Sequence, residues 1–162
     1  VMAATNLAYV SLPMAMFPDV VQHLRMAVQV SLLIGTQVLQ GTLVHVLNIG
    51  KAMAQAGAHV EVGNLSHSLT SLVAGDTALL AQDRTAIVAV LGLMGETAQV
   101  LASNLSLEEQ ERRLSALVTE AQNMQLGRAL DMDAWILAAA ALRSATPGQT
   151  ETSGGSPSED GG

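Results

Sequence analysis

The chain has 162 residues, 49% of them hydrophobic and 13% charged, with a formal net charge of −7 and no cysteine. Charge is scarce against the roughly 25% of an average domain, so much of the chain wants burial, by its own core or by a partner. The surplus of acids and a single lysine, Lys51, argue against nucleic acid as a partner, since phosphate binding needs clustered cations, and without cysteine there are no disulfides, thiolate metal sites or cysteine nucleophiles.

Residues 1–17 form an apolar, uncharged segment interrupted by Pro13. They lack a basic n-region, so no ordinary signal peptide is expected. Residues 18–144 read as one all-α domain, a bundle of four to six helices with a long, nearly uncharged central helix. Pro18 suits a first helical turn, and Asp19 sits near the positive helix end. Val21, Leu24, Val28, Leu32, Gly35 and Leu39 then follow at spacings of three and four, the period of one helical face. From Ser31 to Ile49 the apolar pattern spreads around the axis, as in a central or membrane-embedded helix. Gly57 is predicted to stop it.

The stretch "HVEVG" at 59–63 is strand-like but has no mate, so it is assigned to a loop or helix start. A second helix is expected from Asn64 or Ser66 to about Gln82. A third starts at Asp83 as N-cap and carries Ile87, Leu91, Met94, Ala98 and Leu101 as its stripe. Ser106-Leu-Glu-Glu109 is a capping box that opens the fourth. Its buried face is Leu114, Leu117, Val118, Ala121 and Met124, its outer face the pairs Glu108–Arg112 and Glu109–Arg113, and Gly127 ends it. The last helix runs from about Asp131 to Arg143 and carries Trp135. "NLS" recurs at 64–66 and 104–106 as part of a faint internal repeat, and both copies read as N-caps. Residues 145–162, rich in Gly, Ser, Pro and acids, bury too little to offset chain entropy and read as a disordered tail.

The stretch 31–50 has no charged residue yet contains Gln37, Gln40, His45 and Asn48. Residues 26–50 are long enough to span a bilayer, but these polar groups, and the lack of an aromatic belt or flanking Lys/Arg cluster, weigh against it. In a bundle the amides and imidazole bond to facing helices, and Gly35 and Gly41 admit a close neighbour. Gly35, Gln37, Gln40, Gly41 and His45 are therefore the candidate interaction or core-polar positions. The eight methionines read mainly as core gap-fillers.

Nucleotide-binding, nucleophile-elbow and zinc-protease signatures are missing. His23, His45, His59 and His67 match no standard metal spacing. No catalytic, cofactor-binding or metal-binding residue is assigned. The expected role is a non-enzymatic helical protein that self-associates or binds a helical partner, as a coat, scaffold or assembly module. The alternatives are a membrane-active protein inserting residues 26–50, and a carrier holding a small apolar ligand in the bundle.

Overall fold

Leucine, valine and alanine at helical spacing demand helices whose apolar faces meet one another, since no other element closes such a pattern. The computed structural model describes residues 1–141, and among them there is no strand. Eight helices follow in order: α1 (Met2–Ser11), α2 (Phe17–Ile34), α3 (Thr36–Gln55), α4 (His59–Ala74), α5 (Ala81–Leu101), α6 (Leu107–Gln122), α7 (Gln125–Ala129) and α8 (Met132–Ala140). The all-α bundle stands, divided more finely than into four to six helices. The expected tail, 145–162, lies outside the described residues. α1 packs on α2, α4 lies closely along α5, and α8 closes against α3 and α6. One core, with Leu24, Leu39, Ile49, Leu65, Leu91 and Ile136 fully buried, joins them.

The central segment is not one continuous helix. Gly35 adopts φ 151° and ψ 168°, a backbone region essentially confined to glycine, and this single residue separates α2 from α3. Its N–H donates to the Ser31 carbonyl and its carbonyl accepts from the Leu39 N–H, each at 3.0 Å, so both helices close through it. The bend brings the Ser31 and Thr42 hydroxyls within 2.6 Å of each other in the interior. Each also has a carbonyl of its own helix in reach, Ala27 and Val38 respectively. One hydroxyl hydrogen therefore crosses between the helices while the other stays within its own.

Gly35→Ala should lower stability by about 1–3 kcal/mol through backbone strain alone, because a Cβ there meets nothing within 4 Å. Chemical denaturation measures this. A midpoint equal to that of the parent protein would contradict the strain.

Gly57 ends α3 as expected. With φ 85° it forms a Schellman motif, in which Ala58 N–H donates to Met53 O (2.9 Å) and Gly57 N–H to Ala54 O (3.0 Å). The next helix follows without a spacer, so 59–63 is the first turn of α4, and Asn64 and Ser66 lie inside the helix instead of capping it. Burial of Val62 and Leu65 outweighs the weak helix preference of the two valines. Asp76 organises the following turn, its carboxylate accepting from the N–H groups of Ala78 (2.8 Å) and Leu79 (3.3 Å). Because α5 already begins at Ala81, Asp83 sits within its first turn and is not the N-cap.

Ser66 Oγ donates to the Leu91 carbonyl at 2.6 Å across α4 and α5. Gly95 permits that approach: a Cβ there would stand 2.5 Å from Ser66 Oγ. Ser106 does cap α6, accepting from Glu109 N–H at 3.2 Å, so the two "NLS" copies occupy unlike places. Glu109 binds both Arg112 and Arg113, displacing the expected Glu108–Arg112 pair. Hydrogen bonds from Arg112, then Arg113, hold its carboxyl down at about 2. Gly127 lies within α7 and does not end α6. Asp131, left-handed at φ 53°, turns α7 into α8.

Candidate interaction surface

Along α3 the buried positions include Leu39, Thr42, Leu43, Val46, Leu47 and Gly50. The positions between them form the opposite face. Gln37, Gln40, Gly41 and His45 are exposed with Val44 and Asn48, and Gly35 is half-buried. This corrects the core-polar expectation: the amides and the imidazole point away from the core. It also corrects the role of the glycines. A Cβ at Gly41 would meet nothing within 4 Å, whereas at Gly50 it would lie 3.2 Å from Met94 Sδ and 3.6 Å from the Trp135 ring, so Gly50 is the close-approach position.

His45 is tied to α1. Its Nδ1 lies 2.9 Å from the Tyr9 hydroxyl, and the two rings meet edge to face at 5.7 Å. In a neutral imidazole with its proton on Nε2, Nδ1 accepts from the hydroxyl.

On this side α1 buries small side chains and exposes large ones, and α2, which buries Leu24 and two valines, exposes large ones as well. α1 buries Ala4, Thr5, Ala8 and Ser11, while Met2 (75% exposed), Leu7 and Val10 face outward. α2 buries Leu24, Ala27, Val28 and Ser31 and presents Met26, Leu33 (88%) and Ile34. Among the described residues, nine of the thirteen exposed large hydrophobic side chains fall within residues 1–44. That stretch has two charged residues, Asp19 and Arg25, and Arg25 is turned to the Ser68 hydroxyl of α4 at 2.7 Å. The methionines divide the same way. Met53, Met94 and Met132 fill the core as expected, but Met2, Met14, Met16 and Met26 are exposed.

Elsewhere the chemistry is sparse. Among the described residues no three metal-ligating side chains gather at one point. His59 Nδ1 is buried without a hydrogen-bond partner, and desolvation lowers the pKa of this imidazole, opposed by Glu61. Burial therefore favours its neutral form. One described helix, α5, is long and apolar enough to cross a membrane, and 44% of its apolar window is buried inside the fold. Residues 26–50, by contrast, are divided between α2 and α3 by Gly35 and provide no single straight span. Comparison with protein families, with curated proteins and with solved structures found no match.

Proposed function

We propose that the protein is a non-enzymatic helical assembly module that self-associates through the outer face of α1 and α2. The observation that carries this reading is the outward display of large apolar side chains on those helices, Met2, Leu7 and Val10 on α1 and Met26, Leu33 and Ile34 on α2. Contiguous exposed apolar surface on a soluble protein marks a contact site, and methionine adapts its shape to what it meets. Charge points to a second copy as the partner. A chain of net charge −7 repels itself, so two copies meet most easily where charge is nearly missing. In a two-fold contact each patch then faces its own equivalent.

Sedimentation across concentration tests this. Wild-type protein is expected to form dimers or larger assemblies by about 100 μM. Leu33→Asp, at an exposed position, should shift it to monomer without changing its helicity or melting. A wild-type monomer throughout that range would defeat the proposal. Large apolar side chains over a small-residue contact, as on α1, are also what helices in lipid show, which motivates the second reading. Against it, the face has few cations to meet anionic head groups. Flotation of the protein with neutral vesicles, together with a monomeric state in solution, would favour the lipid reading.

A further inference from the structure

A pocket of 480 Å³ opens between α3, α5 and α7. Its rim contains three primary amides, Gln40, Gln82 and Gln125, and one carboxylate, Asp83; its wall is apolar, with Ile87 and Leu126. Three glutamines outside the pocket hydrogen-bond within the fold, Gln55 to the Ala138 carbonyl, Gln110 to the Ser103 and Leu105 carbonyls and Gln122 to the Asp133 carboxylate, while Gln22, Gln29, Gln37 and Gln99 do not. The four rim side chains make no hydrogen bond or ion pair to any described residue. No Lys, Arg or His lines the pocket. The arginines nearest in sequence are engaged elsewhere, Arg84 with the Asp76 and Leu79 carbonyls and Arg128 with the Gln122 carbonyl.

The chemistry of this rim selects its ligand. An anion would meet the Asp83 carboxylate, and a wholly apolar ligand would strand that charge without a partner. A cation carrying several donors satisfies the carboxylate and, with the amides turned to present their oxygens, the glutamines as well. A guanidinium fits best. It offers donors only, in one plane, pairs with a carboxylate through two parallel bonds, and has weakly hydrated faces suited to the Ile87 and Leu126 wall. We infer that this pocket binds a guanidinium-bearing ligand, either a free small molecule or an arginine side chain of a peptide. The inference is independent of self-association, because the pocket lies outside the α1–α2 face.

Titration of the full chain, followed by calorimetry and by side-chain amide resonances, tests the site. The probes are methylguanidinium, N-acetyl-arginine amide and, as a neutral counterpart, N-acetyl-citrulline amide. Saturable binding of the cationic probes is expected at about millimolar concentration, with shifts at Gln40, Gln82 and Gln125. Asp83→Asn should weaken it by about tenfold or more, through loss of the charge-assisted bonds. Gln40→Ala, at an exposed position, should weaken it less, and serves if Asp83→Asn disturbs α5. Tighter binding of the acetylated arginine than of methylguanidinium supports a peptide source, and equal binding supports a free small cation. No saturation, equal binding of the citrulline compound, or undiminished binding by Asp83→Asn would overturn the site.

Discussion

Leu39→Asp should unfold the protein, whereas Gln40→Asp, one residue away, should leave it folded. Leu39 is fully buried, on α3 one turn beyond the Gly35 bend. Neither cation of α2 and α3 is placed to meet an aspartate there. Arg25 is committed to Ser68, and Lys51 lies twelve residues further along the chain, more than three helical turns away. Ionised, the side chain is an uncompensated buried charge, worth several kcal/mol of destabilisation. Protonated, it still forfeits the leucine's burial, about 2–3 kcal/mol, and leaves a carboxyl without a partner. Either loss is large against the roughly 5–15 kcal/mol that holds a domain together. Because burial raises the folded-state pKa of such a group above its unfolded value of about 3.9, the penalty of ionisation is absent below that value, grows as pH rises from it, and is complete above the raised folded-state pKa. Gln40 is exposed, and a surface substitution of this kind stays within about 0.5 kcal/mol. Far-UV circular dichroism and thermal melting of both variants check the contrast. Parent-like melting of Leu39→Asp would place that side chain outside the core.

The features legible in the sequence are those set by short-range chemistry. Ser106 caps α6 because a serine three residues before a glutamate satisfies an end amide locally. Gly57 stops α3 because a left-handed residue is needed there. The stripes of α5 and α6 were legible for the same reason: Ile87, Leu91, Met94 and Ala98, and Leu114, Leu117 and Ala121, are all buried. What the pattern concealed depends on tertiary choice. Gly35 continues an apolar stripe without interruption, and nothing beside it announces a bend. Folding back is stabilised by contacts remote from the glycine's neighbours, the packing of α2 on α3 around one core and the Ser31–Thr42 hydroxyl pair. Ser66 looks like a cap by its neighbours and becomes a contact across α4 and α5 because Gly95 lies opposite.

The surface was half visible. Gln37, Gln40, Gly41, His45 and Asn48 recur at spacings of three and four, the signature of one helical side. Their lack of charge made a solvent face look like a buried polar seam. On this face of α3, Gln37, Gln40, Gly41 and Asn48 mark the outside as lysines and glutamates do elsewhere, while Gly50 lies on the buried face. Met26 and Leu33 were less legible, because an apolar residue on the flank of an apolar stripe reads as buried, and only the packing shows that no neighbour covers it. The glutamines of the pocket come from three helices remote in sequence, a convergence that no single window contains.

Trp135→Ala is expected to be nearly as damaging as the change at Leu39, and it tests how the last helix is held. α8 has nine residues, four of them alanine, and buries Met132, Trp135, Ile136 and Ala139. A helix this short has little stability of its own, so its persistence rests on tertiary contacts. Trp135 is the largest of these contacts. It is 6% exposed, lies against the Gly50 backbone, and its indole N–H donates to the Leu47 carbonyl at 2.7 Å. Truncation to alanine opens a cavity between α3 and α8 and should cost about 3–5 kcal/mol. Trp135→Phe separates packing from hydrogen bonding. It keeps most of the ring and loses the indole donor, yet the Leu47 carbonyl retains the intrahelical bond from residue 51. The phenylalanine variant should therefore lose only about 1–2 kcal/mol. Denaturant unfolding gives both values, and hydrogen exchange locates the loss, with amides of α8 and of α3 near Gly50 exchanging fastest in Trp135→Ala. Equal destabilisation by the two variants would mean that the indole hydrogen bond, and not the filled space against Gly50, fastens α8 to the bundle.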